Sequence, residues 1–330
     1  MKRRAVLISF GAGVGALAPL ASLAQQAPAK IWRIGFLSSE SATAYARRID
    51  ALRAGLADFG YVEGKNMVIE ARWAEGKEER LDELAADLVR IKVDIIVSSG
   101  GNPAHAAKRA TTSIPIPIVI ASTGDAVASR LVVSLAKPGG NITGSTFFLP
   151  ELMAKRLEIL KDALPRLTHV AVLLYSDSGT TRAIDRAIVP AAKSLKLSLH
   201  RFDILKPEEL DNAFVAMAKQ RIGGVVVHEH PRFIANLQKI ADLAAKHHIA
   251  AIGNGELAEA GGLIGYGANL IALYRRAGYF VDRILKGTKP ADLPVEQPTT
   301  FEFVVNLKTA KALNIKFPQV TLIQATKVIE

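Results

Sequence analysis

The chain has 330 residues, of which 49% are hydrophobic and 22% are charged, and its formal net charge is +11. This composition excludes a disordered chain, and the length predicts two domains that each have a core of their own. Only 6% of the residues are aromatic and no basic run is interleaved with them, so the positive charge does not indicate a nucleic-acid site.

The first 24 residues predict a cleavable export signal. A basic start (Met1 to Arg4) precedes an apolar stretch (Ala5 to Ala18), and Ser22 to Ala24 supplies small residues for cleavage. The apolar stretch is shorter than the ~20 residues of a membrane span. Sec and twin-arginine export both stay open. Because the chain has no cysteine, a lipid cannot be attached at the cleavage site, and we expect a soluble periplasmic protein that is not a lipoprotein.

Strands and helices alternate along the first half of the remaining chain. The predicted strands are 31–37, 67–73, 95–97 and 116–121, and the predicted helices are 49–59, 81–91, one beginning near 102, and one running from the 122–125 turn to about 136. Such alternation is typical of a mainly parallel sheet covered by helices.

The turn from Ser98 to Asn102 is the strongest candidate for a ligand site in this half. It joins a buried strand to a helix through small residues, with Asn102 suited to the N-cap and Pro103 to the first helical position. The N–H groups and dipole of that helix start favour a carboxylate or another anion. An ordinary turn without a ligand is the alternative.

The second half contains a copy of this turn. The strand Val225 to Val227 leads into His228, Glu229 and His230, and Pro231 opens a helix. Predicted strands are 170–175, 197–202, 224–227, 249–253, 261–267 and 301–305, and predicted helices are 152–164, one containing Pro190, 207–220, 233–247, a short one at Glu256, 270–286 and a last one near the C-terminus.

Two halves with one ligand edge each predict a ligand held between two lobes. We expect an α/β fold of two doubly wound, mainly parallel-sheet lobes joined by three hinge strands. The predicted divisions are 1–24 for the signal peptide, 25–145 for lobe 1, 146–266 for lobe 2, 267–296 for a return to lobe 1, and 297–330 for a return to lobe 2.

An amino acid or similar zwitterion would need partners for both of its charges. Its carboxylate is expected at Ser99 to Asn102, helped by Ser38 or Ser39. Its ammonium needs a carboxylate, and four acids occupy predicted strand ends, although each could instead cap a helix or be solvated. The candidate ligand-binding residues are Ser38, Ser39, Ser99, Gly100, Gly101, Asn102, Thr123, Asp125, Ser176, Asp177, Glu229, His230, Asn254 and Glu256.

The sequence gives little support for a metal site or for catalysis. His228 and His230 would face the same side of a strand, as two metal ligands would, but no third ligand is evident. The sequence contains no GxSxG, GxxxxGK[ST] or HExxH motif. No catalytic residue, metal or cofactor is therefore predicted.

Longer segments carry a resemblance to a known family. They are GLADFGYVEGKNMVIEARWAEGKEERLDELAADLVRIKVDIIV, AKPGGNITG, KRLEILKDALP, AGGLIGYGANL and ILKGTKPADLPVEQPTTFEFVVNLKTAKALNI. In this order they resemble the ABC-transporter substrate-binding protein family that includes tryptophan and tyrosine uptake components. The resemblance implies a type I periplasmic binding fold, with a small ligand buried when the lobes close. It also implies an inner-membrane ABC permease and a separate cytoplasmic ATPase as partners.

The expected function is that of the periplasmic solute-binding component of an ABC importer, which captures a small organic ligand such as an amino acid, aromatic ones included. We expect a monomer that does not bind nucleic acid. Two alternatives stay open. One is a ligand-sensing receptor for a membrane signalling partner, and the other, which the sequence favours less, is a secreted α/β enzyme. The chain departs from the family at Ala126 and at Asp177-Ser178, where proline and Asn-Pro are frequent. Both changes fall on presumed ligand loops.

Overall fold

A computed structural model describes residues 30–175 and 180–330. The predicted signal peptide and the candidate residues Ser176 and Asp177 lie outside these ranges. The first half of the described chain contains strands β1 (Trp32–Ser38), β2 (Met67–Trp73), β3 (Ile95–Ser98), β4 (Ile118–Ile120) and β5 (Ile142–Gly144), and helices α1 (Ala46–Ala57), α2 (Leu81–Arg90) and α3 (Gly101–Ala110).

The second half adds seven strands and nine helices within the described ranges. The strands are β6 (His169–Tyr175), β7 (Ser198–Ile204), β8 (Gly224–Val227), β9 (Ala250–Gly253), β10 (Ile264–Gly267), β11 (Glu302–Asn306) and β12 (Lys327–Ile329). The helices are α4 (Leu149–Ala163), α5 (Thr181–Ser194), α6 (Glu209–Lys219), α7 (Pro231–Ile234), α8 (Leu237–Lys246), α9 (Gly255–Glu259), α10 (Leu270–Leu285), α11 (Leu307–Ala312) and α12 (Gln319–Gln324). In these ranges no helix is long and apolar enough to cross a membrane.

The strands form two sheets, one for each lobe. Their orders are β2-β1-β3-β4-β5 and β12-β11-β10-β9-β8-β6-β7. The pairs are parallel except β10 with β11, which is antiparallel. The central strands β3 and β8 are buried along their whole length, as β-branched runs covered by helices on both faces should be. The prediction of two mainly parallel α/β lobes is confirmed.

The chain passes between the sheets after β5, after β10 and before β11. After the second passage α10 packs against α1 of the first sheet so closely that a Cβ at Gly278 would lie 2.3 Å from the carbonyl carbon of Gly55. The first and third passages contact each other, with the ring centroids of Phe148 and Phe301 6.3 Å apart. The second passage adjoins the third, since the ring centroids of Tyr266 and Phe301 are 6.1 Å apart, so three adjacent segments join the lobes.

Two helix predictions are wrong. No helix follows the 122–125 turn, because Arg130 adopts a left-handed conformation (φ 59°) and the N–H groups of Leu131 and Val132 both donate to the carbonyl of Ala126. The predicted helix 233–247 is divided into α7 and α8 at Asn236, whose side-chain amide donates to the carbonyl of Arg232. Both errors occur where the backbone turns locally and the side-chain pattern does not register the turn.

Candidate functional site

A cavity lies where the carboxyl ends of β1, β3 and β4 face the carboxyl end of β8. Its enclosed volume is about 100 Å³, so in this conformation it is a small cavity with room for several water molecules. The candidate residues Ser39, Ser99, Gly100, Gly101, Asn102, Thr123, Glu229 and His230 line it. The structure therefore brings together turns from both lobes that the sequence places far apart.

The first lobe contributes hydroxyl groups and a helix start to this cavity. Ser39 is 1% exposed and its hydroxyl has no hydrogen-bond partner. The first turn of α3 begins next to it, at Gly101. A buried hydroxyl without a partner is unusual in a folded protein, and together with a helix N-terminus it suits an anionic ligand group.

Asn102 is not the N-cap of α3, contrary to the prediction. Gly100 occupies that position with a φ of 118°, and a Cβ there would lie 3.3 Å from Pro231 of the second lobe. Only glycine adopts this backbone at little cost. The side-chain amide of Asn102 instead donates to Glu78 over 2.7 Å.

Neutral histidines form part of the opposite wall. The ring of His230 stacks on Tyr175 with centroids 3.8 Å apart. Burial, with a smaller contribution from Arg156, lowers the pKa of His228 to about 3, and burial also lowers the pKa of His230 well below 6.5. No group of three metal-binding side chains that could hold an ion occurs in the described part of the chain, so the histidine pair gains no third ligand there.

The buried histidines should make the fold sensitive to acid. In the unfolded chain a histidine takes up a proton below pH 6.5, whereas His228 resists protonation down to about pH 3. The unfolded state therefore binds more protons, and at pH 5 this costs roughly 2 kcal/mol of stability. Denaturant unfolding at pH 7 and at pH 5 measures this effect. Between the two pH values, the free energy of unfolding of His228→Gln should fall by roughly 2 kcal/mol less than that of the unmodified chain. An equal loss of unfolding free energy in both proteins would contradict the lowered pKa of His228.

Three of the four predicted ammonium partners are engaged by other groups of the protein, and the fourth, Asp177, lies outside the described residues. Both oxygens of Glu229 accept hydrogen bonds from Arg156, one at 2.7 Å, and both side chains are fully buried. Glu256 pairs with Arg48 over 2.7 Å. Asp125 accepts from the N–H groups of Val127 and Ala128, at 3.0 and 2.8 Å.

The remaining candidates have local structural contacts. Asn254 is the N-cap of α9 and accepts from the N–H of Leu257 at 3.1 Å. Ser38 is buried and accepts from the N–H of Glu40 at 3.2 Å. Neither residue lines the cavity. Their positions at strand ends follow the sequence pattern, but their side chains serve the turns.

Several residues that line the cavity were not predicted from the sequence. Tyr45, Phe147 and Tyr274 provide aromatic surface, and Arg48 provides a guanidinium that is 3% exposed. Burial raises the pKa of Tyr274 to about 12, so its hydroxyl stays a neutral donor. Arg48 could have been noticed as a charged residue one turn before Leu52 on the apolar stripe of α1. Tyr274 could not have been noticed in the sequence, because only the packing of α10 against the first lobe brings it to the cavity.

Contacts between the lobes show that the cleft is closed in this structure. The Arg48 and Glu256 pair joins α1 to α9. Glu78 of the first lobe lies 3.8 Å from the Nε of Arg232 and 4.0 Å from the Nε2 of His230. The cavity is thus bounded by both lobes at once.

Comparison with known proteins gives four findings. A family model described as ABC transporter substrate binding protein matches residues 34–329. A tyrosine-binding protein of Clostridioides difficile is 26% identical over 262 residues, which are 79% of this chain and 74% of that protein. Among solved structures, the ABC domain of Streptococcus pneumoniae in complex with L-Trp is 24% identical, covers 91% of this chain and 100% of its own, and has a TM-score of 0.83. The ligand-free, open structure of a substrate-binding protein with adhesive properties from Clostridium difficile is 23% identical, covers 91% and 99%, and has a TM-score of 0.65.

Proposed function

Since the chain belongs to the family of ABC transporter substrate-binding proteins, a class of binding proteins and not of enzymes, we propose that it captures a carboxylate-bearing small molecule, an amino acid by preference, between its lobes. The observation that carries this proposal is the buried, unpartnered hydroxyl of Ser39 beside the start of α3. These groups favour an anion of the size of a carboxylate.

The walls of the cavity favour a ligand with an apolar or aromatic side chain. Tyr45, Phe147 and Tyr274 offer rings to it, and a mainly apolar wall with a few polar groups is typical of such sites. The related protein from Clostridioides difficile is named for tyrosine, and the structure from Streptococcus pneumoniae contains L-Trp. Aromatic amino acids therefore lead the list of ligands.

In the cell the protein would act as the receptor of an importer. Export by the predicted signal peptide would place it in the periplasm as a monomer. There the ligand would stabilise the closed lobes by binding them better than the open ones. The closed form would then deliver the ligand to an inner-membrane permease that a separate cytoplasmic ATPase drives.

Thermal unfolding against a panel of ligands tests this proposal. The panel contains the amino acids, their deaminated carboxylates and benzoate-type acids. A ligand present at 100 times its dissociation constant should stabilise the fold by about 2.7 kcal/mol, which is a clear upward shift of the transition. Amines without a carboxylate serve as the control and should not shift it. If they stabilise the chain and no carboxylate does, the proposal is wrong.

A further inference from the structure

A buried guanidinium forms part of the wall of the interlobe cavity. It belongs to Arg48, which lines the cavity together with Ser39 and whose side chain is 3% exposed. The guanidinium lies over the ring of Tyr45, with its Cζ 4.9 Å from the ring centroid, and Tyr45 is itself 1% exposed. Since a buried aromatic ring supports it, the positive charge has a fixed position in the wall.

Among the described residues that line this cavity, Arg48 alone is a cation at pH 7. The other basic side chains of the wall are His105, His228 and His230. The pKa of each is lowered, mainly by burial, so that all three are neutral. The carboxylate of the wall, Glu229, is neutralised by its pairing with Arg156. An anionic group that enters the cavity therefore finds its opposite charge at Arg48.

The hydrogen bonds of Arg48 leave one of its donors available. Its Nη2 donates to Glu256 of the second lobe over 2.7 Å, and Glu256 does not belong to the cavity wall. Its Nε is buried and has no hydrogen-bond partner. A buried donor of a charged group is costly when it has no acceptor. This N–H therefore indicates that an acceptor is missing.

A carboxylate would supply that acceptor. Arg48 and Ser39 line one cavity whose enclosed volume is about 100 Å³, and each has a buried polar atom without a partner. The two oxygens of a carboxylate accept several hydrogen bonds between them, so a single group can bind both side chains. Arginine also stays charged at every physiological pH.

We propose that Arg48 binds the carboxylate of the ligand through its Nε, and that the site thereby selects ionised carboxylates over neutral analogues of the same shape. The same guanidinium holds Glu256 of the second lobe, so the ligand binds the residue that joins the two lobes. This inference rests on the proposed function, because it requires a ligand with a carboxylate between the lobes.

Calorimetric titration with a matched pair of ligands tests the inference. The pair is the carboxylate ligand that stabilises the full chain most and its carboxamide, titrated at pH 6, where any amino group of either is protonated. The unmodified protein should bind the acid at least about 10-fold more tightly than the amide. In Arg48→Gln the ratio of the two affinities should fall ~10- to 100-fold, because the amide never used the positive charge.

A control variant separates ligand binding from lobe closure. Glu256→Gln breaks the same ion pair between the lobes but keeps the charge of Arg48, so it should weaken both ligands together and should not lower the ratio of their affinities. Arg48→Gln leaves the carboxylate of Glu256 without its partner. If that variant does not fold, the double variant Arg48→Gln with Glu256→Gln provides the comparison and should show the same fall in the ratio.

The outcomes distinguish the inference from the proposed function. If the Arg48 variant keeps the ratio of the unmodified protein within about 3-fold, the inference is wrong and the proposed function stands. An equal fall of the ratio in Glu256→Gln would assign the effect to lobe closure and would also overturn the inference. If no carboxylate binds the unmodified protein, the proposed function fails, and the inference with it.

Discussion

Replacing Arg156 with alanine is expected to lower the free energy of unfolding by about 3–5 kcal/mol, because it leaves a buried carboxylate without its partner. The side chains of both residues are buried, with that of Arg156 0% and that of Glu229 3% exposed. The guanidinium also donates to the carbonyl oxygens of Val227 and Tyr266. One side chain of α4 therefore satisfies acceptors on β10, on β8 and in the turn that lines the cavity.

Chemical denaturation of matched variants measures this effect. Lys155→Ala is the control, since Lys155 is half exposed on the same helix and pairs with exposed Glu158, which predicts a loss of no more than about 1 kcal/mol. The double replacement Arg156→Met with Glu229→Met removes both charges and should recover much of the stability. A loss below about 1 kcal/mol in Arg156→Ala would show that the pair does not hold this lobe together.

Replacing Gly101 with leucine is expected to weaken ligand binding about 100-fold, since overfilling a site costs about 1–3 kcal/mol. A Cβ at Gly101 would be in ordinary contact with the Thr123 hydroxyl at 3.5 Å, and the backbone there is not left-handed. The leucine side chain would therefore occupy the cavity without straining α3. The free energy of unfolding without ligand should change by less than about 1 kcal/mol.

The matched variant Gly101→Ala separates volume from backbone effects. It adds one methyl group at the same position and should reduce the affinity by less than about 10-fold. Titration calorimetry with the strongest ligand of the panel provides the comparison. An unchanged affinity in Gly101→Leu would mean that the ligand binds elsewhere.

The parts of the fold that the sequence predicts are those with local causes. The β-branched runs at Ile95 to Val97 and Val225 to Val227 are short and flanked by small or polar residues, so strands and the following turns could be placed from the residues alone. The paired lobes follow from the alternation of strands and helices. The helix expected before residue 136 fails because Arg130 turns the chain, a conformation that its side chain does not signal.

Partners of the charged side chains could not be predicted in the same way. Glu229 and Glu256 lie near strand ends, but their partners Arg156 and Arg48 are 73 and 208 residues away in the chain. Pairings at such distances depend on the packing of whole lobes.

A crystal structure of the protein with the ligand that stabilises it most would test the central claim most directly. The account predicts electron density for one ligand between the lobes, with its carboxylate at Ser39 and the first turn of α3 and its apolar part against Tyr45 and Tyr274. A fully occupied ligand bound outside the interlobe cavity, or one whose carboxylate lies away from Ser39 and α3, would contradict it.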